Sequence, residues 1–261
     1  MGGAGSRGKY DTGDKPAGAG RVTLTWALGA LVIAVASFVM GLAGFGVALV
    51  SLAFLPYIMS PADAIALTTL YAAVFALAIF VPVRRDFTPA RVADLILGTV
   101  AGTPLGVWAL TSFPVSVLNR LIGLMLLVAV ALEWRGLYPE RLAGRGWGLG
   151  AGVLAGVIGG AVGTPGPPVV LYATTQGWSP RTIKANLQAF FVVNQAVILA
   201  GYWWAGLLTR EVWRLTAVFA VPAIVGVALG IALFNRVDHV RFRRIVFGLL
   251  FVSGAVLLVR G

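Results

Sequence analysis

Long runs of apolar residues, separated by short polar or basic segments, cover most of this chain of 261 residues. A helix rises about 1.5 Å per residue, so roughly 20 apolar residues cross the hydrocarbon core of a membrane. Seven runs reach or approach that length: 22–40, 63–83, 91–111, 117–132, 183–206, 212–234 and 242–259. A further run, 147–162, is marginal, and the runs 45–59 and 166–176 are short. The pattern predicts an all-α polytopic membrane protein with about eight full transmembrane helices and two short segments.

The same order of runs occurs twice, at an offset of about 119 residues. The first copy has a glycine-rich break, Gly41-Leu42-Ala43-Gly44-Phe45-Gly46, before a short segment that ends at Ser60-Pro61. The second copy has a break rich in glycine and proline, 159–168, before a short segment that ends at Ser179-Pro180. Short, broken apolar segments at corresponding positions of two halves indicate the central site of a secondary transporter. The sequence predicts two homologous transmembrane halves, 22–133 and 147–261, joined by a basic loop at 134–146.

Composition supports a membrane location independently of the runs. Apolar residues make up 59% of the chain and charged residues 11%, against about 45–50% and about 25% in soluble domains. Residues 1–21 form a polar, glycine-rich segment that cannot bury enough surface to become ordered, so we predict a disordered tail. A cleaved signal peptide is the competing interpretation of this tail and the first run, but the run continues to Met40. The absence of cysteine excludes disulfides and thiol chemistry.

The net charge of +11 comes mainly from arginines between the apolar runs. Basic loops stay on the cytoplasmic side of a membrane. If the two short segments do not cross, eight spans place 13 of the 20 basic residues inside; if both cross, ten crossings place 12 inside and the halves are inverted repeats. The two topologies therefore stay open. The charge is spread over many loops, which argues against binding of nucleic acid.

Both breaks are candidates for an anion site. The segment Thr164-Pro165-Gly166-Pro167-Pro168 cannot continue a helix, because proline lacks an N–H donor and clashes with the preceding turn. A broken helix exposes backbone N–H groups that attract anions, and irregular backbone at membrane depth is tolerated where it lines a cavity. Close helix packing is the alternative explanation of the glycines. The predicted substrate contacts in the breaks are Gly41, Gly44, Gly46, Gly160, Gly163, Thr164 and Gly166.

The run that follows Pro180 carries the largest set of polar residues at membrane depth. On a helix, Lys184, Gln188 and Gln195 fall within about 40° of one another, while Asn194 lies about 80° from Lys184. At the offset of about 119 residues, Thr69 corresponds to Gln188, with Thr68 beside it. We predict that these six residues contact the substrate. Amide side chains also hold membrane helices together, and a lysine near a helix start can reach the headgroups instead.

The two breaks, with the Ser-Pro pairs and the basic turn Arg84-Arg85-Asp86-Phe87, resemble the TauE/SafE family of sulfite and sulfonate exporters over about 22–259. The resemblance implies an inner-membrane carrier for sulfite, an organosulfonate or a related oxyanion, built from two homologous halves. Coupling to a proton or another cation, and assembly as a homodimer, stay open.

Two other classes of function remain as alternatives. An anion channel could be built from the same glycine breaks. A membrane-embedded enzyme would need a nucleophile with a base, or clustered metal ligands. The chain has one histidine, His239, and no pair of carboxylates in the middle of a run. We therefore predict a protein that is not an enzyme and needs no cofactor.

Overall fold

The computed structural model describes residues 17–44, 46–135, 144–233, 236 and 239–260, and every regular element within them is a helix. The first five helices are α1 Ala17–Ala43, α2 Val47–Phe54, α3 Pro61–Val83, α4 Pro89–Ser112 and α5 Val115–Arg135. The next six are α6 Arg145–Val162, α7 Gly166–Thr174, α8 Pro180–Trp204, α9 Arg210–Val218, α10 Ala220–Leu233 and α11 His239–Arg260. The all-α prediction is confirmed, and both short segments are short helices.

Six of these helices are long and apolar enough to cross a membrane, and α9 with α10, bent by 51°, would supply a seventh. The predicted count of eight full spans stays a prediction. The last apolar run, 242–259, falls in α11, whose apolar part, Arg244–Val259, is shorter than the six candidate spans. Helix α1 begins at Ala17, so the last five residues of the predicted polar tail are helical. Residues 1–16, Phe45 and most of the predicted loop at 134–146 lie outside the described residues.

The Ser-Pro pairs start the central helix of each half. The Ser60 hydroxyl accepts a hydrogen bond from the Asp63 N–H at 3.1 Å, and the Ser179 hydroxyl accepts one from the Thr182 N–H at 3.2 Å. Proline at the first helical position loses no hydrogen bond and has a backbone angle suited to a helix. Each pair therefore ends a short segment and fixes the start of α3 or α8.

Glycines bring α4 and α6 into close parallel contact. A methyl group on Gly98, Gly102 or Gly106 would lie within 2.2–2.3 Å of a carbonyl oxygen of α6. The partners advance together along both helices: Gly98 meets Leu149, Gly102 meets Val153 and Gly106 meets Val157. Small residues allow such close approach of membrane helices.

Helices α1 and α10 pack in the same parallel way. Gly226 lies against the carbonyl of Ala34, and Gly230 lies against the carbonyl of Phe38. Gly123 likewise lies against the backbone of α11, whereas Gly29 lies against the side chains of Phe219 and Ile58. Gly248 has no neighbour within 4 Å of an added methyl group.

The two other large helix contacts are antiparallel. Helix α5 places Gly123 against Leu258 of α11, and Trp134, near the end of α5, stacks on Phe251 with ring centroids 5.6 Å apart. Helices α3 and α8 line two cavities together. Residues 78–82 of α3 line one of them with residues 180–191 of α8, and residues 72–76 line the other with residues 191–195, so the two helices are antiparallel. At the offset of 119 residues, Pro61 of α3 corresponds to Pro180 of α8. Corresponding helices of the two predicted halves therefore run in opposite directions.

Candidate functional site

The two breaks end their helices in the same way. Gly44 has a φ of 78° and Gly163 a φ of 70°, in the left-handed region that favours glycine. The Gly44 N–H donates to the Met40 carbonyl and the Gly163 N–H donates to the Gly159 carbonyl, both at 2.8 Å. Three residues after each of these glycines a short helix begins, α2 at Val47 and α7 at Gly166. The sequence repeat is thus matched by a repeated backbone turn.

Both breaks line one cavity of about 40 Å³, which we call the inner cavity. One water needs about 10–15 Å³ of such volume, so the inner cavity has room for a small inorganic anion. Five of the thirteen predicted contact residues line it: Gly46, Gly163, Thr164, Gly166 and Gln195. The remaining lining residues come from the same breaks and from α1, α2, α3 and α8: Met40, Val47, Ala48, Leu49, Ala72, Ala76, Pro165, Pro167 and Phe191.

The first turn of α2 is the main source of backbone donors at the inner cavity. Gly46 precedes this helix and supplies no side-chain cap. The N–H groups of Val47, Ala48 and Leu49 lie in the first turn, where a helix offers them no acceptor. Helix α7 is different, because Pro167 and Pro168 occupy its second and third positions and have no N–H. The two breaks therefore differ in the number of backbone N–H groups that they offer.

Two polar side chains at the inner cavity are buried without a hydrogen-bond partner. Thr164 is 5% exposed and Gln195 is 3% exposed, and neither the Thr164 Oγ1 nor the Gln195 Oε1 has a partner. Burying an unpaired polar atom costs about 1–3 kcal/mol. An oxyanion that accepted a hydrogen bond from the Thr164 hydroxyl would remove that cost at Thr164. The Gln195 Oε1 is itself an acceptor, so this amide can bind an oxyanion only through its Nε2 donor.

A larger cavity of about 470 Å³, the outer cavity, lies beside the first break. Four predicted contact residues line it: Gly41, Gly44, Lys184 and Gln188. The Gln188 Nε2 donates to the Gly44 carbonyl at 2.7 Å, so this amide holds the end of α1 in place. Lys184 is exposed at this cavity. The predicted stripe on α8 is therefore divided between the two cavities.

Three other predicted residues, which line neither cavity, have hydrogen bonds within or between helices. The Thr68 and Thr69 hydroxyls are buried and donate to the carbonyls of Ala64 and Ile65 in their own helix, each at 2.8 Å. Thr69 also lies beside Gly163, since a methyl group there would be 3.3 Å from the Thr69 Oγ1. The Asn194 Oδ1 accepts a hydrogen bond from the Thr99 Oγ1, which joins α8 to α4.

The first glycine of each break is a packing residue. A methyl group on Gly41 would lie 2.4 Å from the Val227 carbonyl oxygen, and one on Gly160 would lie 2.8 Å from that of Thr103. Gly41 also lines the outer cavity. Both positions are explained by helix contact, and a role in substrate binding stays a prediction for all thirteen residues.

Sequence reasoning missed two aromatic residues at the breaks. The Tyr202 hydroxyl donates a hydrogen bond to the Gly160 carbonyl at 2.9 Å, which joins α8 to the last turn of α6. Phe191 lines both cavities. Neither residue stands out in an apolar helix, because its role depends on which chain segment faces it.

The comparison with known protein families decides the class of protein. The model of the sulfite exporter TauE/SafE family matches residues 29–257, which is nearly the whole chain. The chain belongs to this family. No curated protein and no solved structure matches it.

Membership of the TauE/SafE family makes the protein a multi-pass membrane transporter of the sulfite-exporter type, and the predicted inner-membrane location is consistent with this. Among the described residues, no group of three or more His, Cys, Asp or Glu side chains could hold a metal ion. The His239 side chain lies outside the described part of the chain. The family therefore indicates transport.

Proposed function

We propose that the protein exports a small oxyanion of the sulfite or sulfonate class from the cytoplasm by alternating access around the inner cavity. The observation that carries this proposal is that both helix breaks, one from each predicted half, line that single cavity. The first turn of α2, the Thr164 hydroxyl and the Gln195 amide are the groups that would bind the oxyanion there.

The energetic requirement is that these groups replace the water that the anion loses. A hydrogen bond to a charged group contributes roughly 1.5–3 kcal/mol. The N-terminus of a helix adds a partial positive charge equivalent to about half an elementary charge. The inner cavity is lined mostly by apolar residues, so these interactions act in a medium where they are stronger than in water.

The helix directions support an inverted relation between the halves. Corresponding helices α3 and α8 are antiparallel, as are α5 and α11. Two homologous halves whose corresponding helices oppose one another are related by an axis in the membrane plane. Inverted repeats permit the same rearrangement to open the site first to one side and then to the other.

Exposure differs between corresponding residues of α3 and α8. Lys184 is exposed at the outer cavity, whereas Ile65, its counterpart at the offset of 119, is fully buried. Leu187 is half-buried, whereas its counterpart Thr68 is fully buried. The structure therefore has an opening at the start of α8 and a packed interior at the start of α3, as expected for one end state of alternating access.

The basic residues suggest which side of the membrane this opening faces. Helix α4 begins on the same side as α8 and α6, because the three run parallel. Among the described residues, the arginines at this end include Arg84, Arg85, Arg91, Arg145 and Arg181, and those at the opposite end include Arg120, Arg210 and Arg214. By the positive-inside rule the outer cavity faces the cytoplasm. An exporter loads its substrate in this state.

Binding of sulfite to the purified protein, measured by calorimetry, tests the site. We expect Gln195→Met and Thr164→Val each to weaken binding at least about ten-fold, the loss of one charge-assisted hydrogen bond. The matched controls are Gln176→Met and Thr111→Val, which lie outside both cavities and should bind as the wild type does. Wild-type affinity in both site variants would place the anion elsewhere.

Labelling of single cysteines tests the topology, since the chain has no cysteine of its own. Ser112 ends α4 and Ser179 precedes α8, two parallel helices, so the two positions lie at opposite ends. We expect an impermeant thiol reagent, added to intact cells, to label a cysteine at position 112 and not one at 179. Labelling of both would support parallel halves and refute the inverted relation.

A further inference from the structure

Phe191 stands between the inner and outer cavities. The two cavities lie one behind the other along α8: Lys184 and Gln188 line the outer one, Gln195 lines the inner one and Phe191 lines both. The cavities share no other described lining residue. An anion that moves from Lys184 to Gln195 must therefore pass the Phe191 ring.

The position of this ring is fixed by its neighbours. Phe191 is 6% exposed, and its ring packs edge-to-face on Phe190 with centroids 5.7 Å apart. On the other side its Cζ lies 3.9 Å from where a methyl group on Gly166 would be. The ring thus lies near the start of α7 and lines the inner cavity where that cavity adjoins the outer one. Its counterpart at the offset of 119 is Ala72, which also lines the inner cavity but is small.

The volumes on the two sides of the ring differ by about a factor of ten, 40 Å³ against 470 Å³. A sulfite ion has three oxygens around one sulfur, whereas an organic sulfonate carries a carbon chain on that sulfur. With its headgroup at the α2 N-terminus and Gln195, a sulfonate would need its carbon chain to occupy the space of the Phe191 ring.

We propose that Phe191 is a specificity-determining residue that restricts the inner cavity to inorganic oxyanions of the size of sulfite and excludes organic sulfonates. This inference rests on the proposed function and names the substrate class of the same site. A smaller side chain at 191 would join the two cavities and admit the carbon chain of a sulfonate.

The test is calorimetric binding of sulfite and of ethanesulfonate to the full-length protein in detergent. We expect the wild type to bind sulfite at least ten-fold more tightly than ethanesulfonate. In Phe191→Ala this ratio should fall at least ten-fold, through a gain in ethanesulfonate affinity. In Phe191→Leu, which keeps more of the packing, the ratio of sulfite to ethanesulfonate affinity should also fall. This variant provides the test if the alanine variant does not fold.

Phe219→Leu is the matched control, because Phe219 is a buried phenylalanine that lines neither cavity. Its ratio should equal that of the wild type. An unchanged ratio in folded Phe191 variants, or wild-type protein that binds both anions equally, would overturn the role of Phe191 while sulfite binding still supports the proposed function. Failure of the proposed function is a different result: wild-type protein would bind neither anion.

Discussion

Substitution of Gly102 by alanine tests the close contact between α4 and α6. The added methyl group would lie 2.2 Å from the Val153 carbonyl oxygen, at least about 0.8 Å closer than such atoms are found. The obstacle is backbone, so the two helices must separate. A gap of 0.5–1 Å forfeits about a quarter to a half of the dispersion energy between facing atoms, and overpacking costs typically about 1–3 kcal/mol. We expect the melting temperature in detergent to fall by several degrees, from about 2–4 °C per kcal/mol.

The control is the same substitution at Gly150, in α6, where an added methyl group has no neighbour within 4 Å. Alanine is favoured over glycine in a helix by about 0.8–1 kcal/mol, so Gly150→Ala should be as stable as the wild type or slightly more so. Both proteins are heated and assayed for the remaining monodisperse fraction. If Gly102→Ala had the same melting temperature as Gly150→Ala, α4 and α6 would not be packed as described.

Two further predictions concern the outer cavity. Gln188→Ala removes the donor to the Gly44 carbonyl, and an unpaired buried carbonyl costs about 1–3 kcal/mol. We therefore expect a lower melting temperature and sulfite binding about ten-fold weaker by calorimetry. A variant with the melting temperature and the affinity of the wild type would show that Gln188 does not belong to the site. Lys184→Ala should weaken sulfite binding about two- to five-fold at low salt, with the effect fading as salt rises, because Lys184 is exposed. Arg210→Ala, at the opposite end of the protein, should bind within about two-fold of the wild type, and a larger loss there than in Lys184→Ala would contradict the assignment of the cavity.

The sequence repeat predicted that Thr69 and Gln188 correspond, but it did not predict which break each residue contacts. Thr69 and Gln188 correspond at the offset of 119 residues. In the structure Gln188 bonds to Gly44 and Thr69 lies beside Gly163, so each residue contacts the break of the opposite half. These matching contacts are the ones expected of two halves related by the inverted axis proposed above.

The sequence could not distinguish glycines that break a helix from glycines that pack against one. Gly41 and Gly44 belong to one motif, yet Gly41 contacts α10 and Gly44 takes the left-handed turn. Helical periodicity likewise grouped Lys184 with Gln195, although eleven residues of helix separate them by about 16 Å. Periodicity gives the direction of a side chain around the helix, and depth along the helix decided which cavity each residue lines.

The two breaks have the same backbone turn but different chemistry, and this difference determines how the site is built. The first turn of α2 carries three N–H groups, whereas that of α7 retains one, at Gly166, because Pro167 and Pro168 follow. The first half is therefore the source of the backbone donors. The second half contributes the polar side chains of Thr164 and Gln195 and the ring of Phe191, which limits the size of the inner cavity. In the mechanism proposed above, the anion would be held mainly by the first half and enclosed by the second, so rocking of one half against the other would open the site and release it.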